Sequence, residues 1–168
     1  RLYRLSSNND GVTWLAPTTP WNGSATYNRA SNFAVAAGST LLFWAFNAYT
    51  PAGVSAVRGL SSAAYGTIWP ELPDTAGVGW QVAGAAVGSP YEPEPCLYVY
   101  LTGVTGGYSV LACQRVKLNA DLSFHSWDGV PQIVDRAGAT GVNAFDRVRF
   151  APAAGSYLFA LQEESVNR

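Results

Sequence analysis

The sequence contains no methionine, one lysine (Lys117), one histidine (His125) and two cysteines, and only 12% of its 168 residues are charged. An average soluble domain carries about 25% charged residues. With lysine, glutamate and methionine so scarce, the residues that fill helices are missing, which argues against a helical bundle or coiled coil. Low charge beside 13% aromatic residues excludes intrinsic disorder, which needs the reverse balance. One histidine cannot build a multi-histidine metal centre, and two cysteines without matching histidines do not make a zinc site. Neither metal nor cofactor is therefore expected. Apolar runs fall far short of the roughly 18–20 residues of a spanning helix, so no membrane insertion is expected. Ten basic against eleven acidic residues give a net charge of -1. The densest basic pair, Arg147 and Arg149, is interleaved with Asp146, so no nucleic-acid contact is expected. Arginine at both ends suggests one β-rich domain, residues 1–168, excised from a larger protein.

What is present is strand chemistry. Thr40 to Phe46 is a continuous apolar run of strand length, which predicts a strand buried on both faces. Tyr65–Trp69, Gly79–Ala83, Cys96–Leu101, Tyr108–Lys117, Phe145–Phe150 and Ser156–Leu161 are further aromatic or β-branched runs bounded by Gly or Pro. Asn32–Ala37 and Asp135–Ala139 could each form one helical turn. Eight to ten short strands predict an all-β fold, a β-sandwich or compact antiparallel β-barrel. A propeller needs at least four blades, and no internal repeat of blade length is visible.

The first hairpin fixes an expectation for the cysteines. If it is symmetric about Thr102–Gly107, Leu101 faces Tyr108 and Cys96 faces Cys113, close enough for a possible cross-strand disulfide. Two reduced, buried cysteines are the alternative. The second hairpin, turning through Ala151–Gly155, would by the same symmetry set Arg149 opposite Tyr157.

Ser7-Asn8-Asn9-Asp10-Gly11-Val12-Thr13-Trp14 resembles the Asp-box turn, Ser-x-Asp-x-Gly-x-Thr-Trp, of sialidases and other propeller proteins. It departs at Asn9, where that motif has Asp. The resemblance implies a structural turn built from Asn9, Asp10, Gly11 and Trp14, away from any chemistry. A plain Asn-Asp-Gly turn would read the same way.

Catalytic constellations are thin. His125 lies between Asp121 and Asp128, but no nucleophile elbow accompanies it. Glu92 and Glu94 form a carboxylate pair on an extended Pro-rich segment, spaced for a glycosidase but with nothing to enclose a pocket. Aromatic residues carry more of the functional signal, because tryptophan stacks on flat apolar faces such as sugar rings. Trp21 and Trp127 sit in loop-like contexts, Pro20-Trp21-Asn22-Gly23 and Ser126-Trp127-Asp128-Gly129. These make Trp21, Asn22, Trp127 and Asp128 the expected ligand-binding residues. Asn22-Gly23-Ser24 also fits an N-glycosylation acceptor.

With its low charge, small residues, aromatic loops and paired hairpins, the chain resembles the projecting or spike domains of small non-enveloped RNA virus capsid proteins. That resemblance implies a non-catalytic domain on the virion surface, a homodimer or homotrimer, attaching to a host receptor or glycan. The alternatives are a carbohydrate-binding, lectin-like β-sandwich of a secreted protein and a small β-rich hydrolase.

Overall fold

The computed structural model describes residues 2–37, 42–61, 68–73, 77–88, 91–139, 147–152 and 158–163. Among these residues there is no helix. The strands are β1 (Leu2–Arg4), β2 (Thr18–Trp21), β3 (Arg29–Ala37), β4 (Leu42–Tyr49), β5 (Ser55–Ser61), β6 (Gln81–Val87), β7 (Cys96–Thr105), β8 (Tyr108–Leu118), β9 (Phe124–Trp127), β10 (Gln132–Ala139), β11 (Arg147–Pro152) and β12 (Leu158–Glu163). All pair antiparallel. The fold is all-β with antiparallel sheets packed together, the class the composition predicts.

One sheet has the order β3-β4-β5, and a second has β10-β8-β7-β6 with β9 also on β8. Residues 68–72 extend the first sheet: Ile68 bridges to Leu60. Trp69 and Leu72 donate their backbone N–H groups to the carbonyls of Gly59 and Val57. The two sheets face each other, with β6 lying against β3 and β4. Between them is the main core, to which Phe43, Ala45, Val57, Trp69 and Leu72 contribute from one side. Leu97, Val99, Leu101, Val110, Ala112 and Val116 come from the other.

β4 is apolar without interruption from Leu42 to Phe46 because both of its faces are covered. Phe43 and Ala45 point into the main core. Trp44, Phe46 and Ala48 point the other way, into a second cluster closed by Trp21 of β2. The predicted doubly buried strand is therefore present, with one cover from β2 before it in the chain and the other from segments after it.

Several local expectations are corrected. Asn32–Ala37 lies within strand β3 and 135–139 within β10, so neither is a helical turn. In β3 the small side chains suit the close approach to β6, and tertiary packing overrides alanine's helical preference. Residues 65–67 of the Tyr65–Trp69 run lie outside the described residues.

The first hairpin turns two positions later than symmetry about Thr102–Gly107 requires, which shifts the cross-strand pairing by four residues. Thr105 faces Tyr108 across Gly106-Gly107, both at positive φ (55° and 82°), as a two-residue hairpin turn demands. Gly103 is a strand residue. A Cβ there would stand 2.5 Å from Val78 Cγ1 and 2.9 Å from the Trp80 ring, so this glycine permits close packing and makes no turn. In consequence Cys96 faces Lys117 and Cys113 faces Tyr100. Four strand residues separate the two cysteines in register, about 13 Å, far beyond disulfide reach. Both thiols are free. The second hairpin is displaced likewise, with Arg149 opposite Leu161.

Candidate functional site

The expected ligand anchors do not form a common surface. Trp21 is 2% exposed and packs on Phe46 at a centroid separation of 5.2 Å. A tryptophan whose ring completes a core cluster is not a surface platform, so that expectation is corrected. Trp127 is half-buried and points into the main core, edge-on to Trp69 and Phe124, while its indole Nε1 donates to the Pro70 carbonyl at 2.9 Å. Trp21 and Trp127 thus lie on opposite faces of the β3–β5 sheet.

Of the remaining expected residues, Asn22 is exposed, beside a tight turn in which Ser24 and Tyr27 exchange hydrogen bonds. Asp128 is committed to ion pairs with Arg115 (2.8 Å) and Lys117 (3.3 Å). That pairing belongs to a cluster on the outer face of β7–β8. There Arg115 also meets Glu92 at 3.5 Å, and the Tyr98 hydroxyl donates to Glu92 at 2.5 Å. Two cations meet two anions, so the charges compensate one another and the cluster reads as structural. Arg115, chiefly through its hydrogen bond, holds the Asp128 carboxyl below its ordinary range. Burial raises both thiols above theirs, Cys113 to about 11.

The Asp-box-like turn forms as the resemblance implies. Ser7 Oγ accepts from the Gly11 N–H (2.9 Å), and Asn9 Oδ1 accepts from the Thr13 N–H (2.9 Å). Asn9 Nδ2 donates to Thr13 Oγ1 (2.8 Å), where an aspartate would instead accept from that hydroxyl. Asp10 and Gly11 adopt positive φ, 54° and 84°. Trp14, however, is 62% exposed.

For the hydrolase alternative, His125 Nδ1 lies 3.0 Å from Ser126 Oγ. Asp121 instead accepts from Ser123, and Asp128 is held by Arg115. Among the described residues, no carboxylate is brought into one line with this imidazole and a nucleophile. Among the described residues no group of three or more His, Cys, Asp or Glu side chains is placed to hold a metal ion. No helix among them is long and apolar enough to cross a membrane.

A different site emerges at the mouth of the groove between the two sheets, where β4 ends and β5 and β6 begin. Its floor is Asn47, fully buried in β4. Asn47 Nδ2 donates to the Trp80 carbonyl (2.7 Å), and its Oδ1 accepts from the Val82 N–H (2.8 Å). One side-chain amide thereby pairs with two backbone groups of the opposing sheet. This seam turns Gln81, between those two residues, toward the mouth. Gln81 Oε1 accepts from Asn32 Nδ2 (2.6 Å) and from the Tyr49 hydroxyl (3.0 Å), while its Nε2 reaches Ser55 Oγ at 3.4 Å. Asn32 attains this position because β3 bulges between Ser31 and Ala34, with Asn32 at φ 47°. Bulges re-aim side chains in this way.

Beside these groups is a cavity of about 210 Å³ lined by Ser55, Ala56, Val57, Glu71, Leu72, Pro73 and Trp80. The Glu71 carboxylate accepts from the Tyr27 hydroxyl, which raises the pKa of that phenol. The Arg58 guanidinium lies 4.9 Å over the Tyr27 ring. The cavity thus offers one carboxylate, Glu71, and one hydroxyl, Ser55, among apolar residues. The Asn32 and Gln81 amides and the Tyr49 hydroxyl stand beside it, and Trp80 belongs to the main core. The sequence signal for this cleft is a polar residue, Asn47, following directly on the apolar run of β4, and Gln81 following Trp80. Comparison of the chain with protein-family models, with curated proteins and with solved structures finds no match.

Proposed function

We propose that this domain is a non-catalytic binding module that takes a neutral, hydroxyl-rich ligand, a single ring of a glycan, in the cleft beside Trp80. The supporting observation is the set of neutral polar groups on Asn32, Tyr49, Ser55 and Gln81, placed next to a small cavity lined by Ser55 and Glu71 among apolar residues. Amides and hydroxyls donate and accept at once, as sugar hydroxyls do. The cavity is smaller than the about 300 Å³ at which drug-sized pockets begin, which favours one ring over an extended chain. A glycan-binding domain of this kind serves a secreted protein and a virion projection alike, and attachment to a host glycan is the form it would take in the second case.

The test is a glycan array followed by calorimetric titration of the best ligand. Ser55→Ala and Glu71→Gln should each weaken binding about tenfold, roughly the 1.4 kcal/mol of one lost hydrogen bond. Trp127→Phe should leave it unchanged. Affinity indifferent to both cleft substitutions, or no binding to any glycan, would remove this reading.

A further inference from the structure

An asparagine or aspartate followed by glycine is a place where a polypeptide can rearrange unaided. With no Cβ beside it, the glycine nitrogen can reach the γ-carbon of the preceding side chain. The sequence has three such pairs, Asp10-Gly11, Asn22-Gly23 and Asp128-Gly129, and the fold treats them differently. In the first, the Gly11 N–H is held by Ser7 Oγ at 2.9 Å. In the third, the Asp128 carboxylate is paired with Arg115 at 2.8 Å and Lys117 at 3.3 Å, and a carboxylate held in its charged form is a poor electrophile. At Asn22-Gly23 neither reacting group is engaged. Asn22 is exposed, and among the described residues no hydrogen bond is made by its side chain or by the Gly23 N–H.

The chain on either side of this pair is fixed. Trp21, just before it, is 2% exposed and anchored on Phe46. Just after it, the Ser24 N–H donates to the Tyr27 carbonyl at 2.7 Å, and the Tyr27 N–H donates to Ser24 Oγ at 3.0 Å. Gly23 has φ 92°, and a Cβ on it would stand 3.1 Å from that same carbonyl. Asn22-Gly23 is thus a free link between a buried tryptophan and a closed turn.

We infer that Asn22 is a site of spontaneous covalent modification, and that its conversion to isoaspartate releases the turn that positions Tyr27 at the cleft. The Gly23 nitrogen attacks the Asn22 side-chain carbonyl carbon. A new C–N bond forms, the bond to the side-chain NH2 breaks, and ammonia leaves with the proton from the Gly23 N–H. Water then opens the five-membered imide. Opening at the backbone carbonyl leaves the main chain running through the former side chain, one methylene longer and with a free carboxylate; opening at the other carbonyl gives aspartate. Nothing is oxidised or reduced. The extra methylene enters one residue before the Ser24–Tyr27 turn, where Gly23 already lies close against the Tyr27 carbonyl. The Tyr27 hydroxyl donates to Glu71, which lines the cavity, and the Arg58 guanidinium lies 4.9 Å over its ring. Lengthening the link therefore moves the side of the cleft that Tyr27 and Glu71 share. An effect on ligand binding rests on the glycan reading above, whereas the reaction and the release of the turn do not.

The test ages the whole chain at mildly alkaline pH, folded and in guanidinium, and maps the products by peptide mass spectrometry. Residue 22 should change from amide to acid, chiefly as isoaspartate, while Asp10 and Asp128 stay unrearranged. The folded rate should lie within about tenfold of the unfolded rate, since tenfold corresponds to about 1.4 kcal/mol of local opening. In the purified isoaspartate form the Ser24 and Tyr27 amides should lose hydrogen-exchange protection in NMR spectra. Freshly prepared Asn22→Asp, which has the charge but not the extra methylene, should keep it. An Asn22 still intact in the folded chain once the unfolded chain has converted would overturn the proposal. So would rearrangement at Asp10 or Asp128 as fast as at Asn22, unchanged protection in the isoaspartate form, or equal loss of protection in Asn22→Asp. None of these readouts uses a glycan, so a failure of the glycan array removes the reading of the cleft and leaves them standing.

Discussion

Asn47 shows how much of this fold can turn on one side chain. It is fully buried, and it satisfies the Trp80 carbonyl and the Val82 N–H at once. Replacing it by alanine strands two backbone groups away from water, each at a cost of about 1–3 kcal/mol. Asn47→Ala should therefore lower the unfolding free energy by roughly 2–4 kcal/mol in urea titration, and Asn47→Leu, which restores volume but no hydrogen bond, should rescue little of it. Because the seam also aims Gln81 at the mouth, both variants should weaken any cleft ligand. At this scale the sequence was only partly legible. Trp44 could be placed in the core from its apolar neighbours, whereas Trp21, flanked by Pro20 and Asn22, had the local signature of an exposed loop. Its burial is decided by Phe46 and Leu60, far along the chain, and no local pattern carries that information.

Elements were legible where periodicity is strong and less so where glycine has two possible meanings. The strands at 42–49, 96–105 and 108–118 follow from their apolar and β-branched runs. Registers did not, because Gly103 reads as a turn residue until Val78 and Trp80 are seen against it. The cleft was the least legible part, since Asn32, Tyr49, Ser55, Glu71 and Gln81 come from separate segments. The corrected register has a chemical consequence. Cys96 and Cys113 stand far apart with thiols made less acidic by burial, and the thiolate is the reactive form. Both should resist alkylation by iodoacetamide at pH 8 in the folded chain and react fully in guanidinium. Two free thiols should be titrated after denaturation without reductant.

For the molecule as a whole, scarcity of charge concentrates its response to pH. Only 21 ionisable Asp, Glu, Lys and Arg side chains are present, so few sites can couple folding to acid. Asp128, held low chiefly by Arg115, and Asp121, held low by Ser123, are two of them. A carboxylate whose folded pKa is depressed adds stability that is fully present above its unfolded value, about 3.9. That contribution is lost as the pH falls through the folded value. The urea midpoint should accordingly be flat from pH 7 to about pH 5 and fall below about pH 4. Arg115→Met should lower the midpoint at neutral pH and make the acid decline shallower. An unchanged slope would mean that other groups govern the acid transition.

The chain-order stacking of layers also bears on how the molecule is made. A layer that packs against the one just synthesised closes short loops, and short loops favour fast folding. β2 can cover β4 before β6 exists, and the groove mouth is completed once Gln81 has emerged. Folding that follows the ribosome in this manner would set Asn47 in place before Trp80 and Val82 reach it, so that a buried amide waits for its backbone partners until the second sheet arrives.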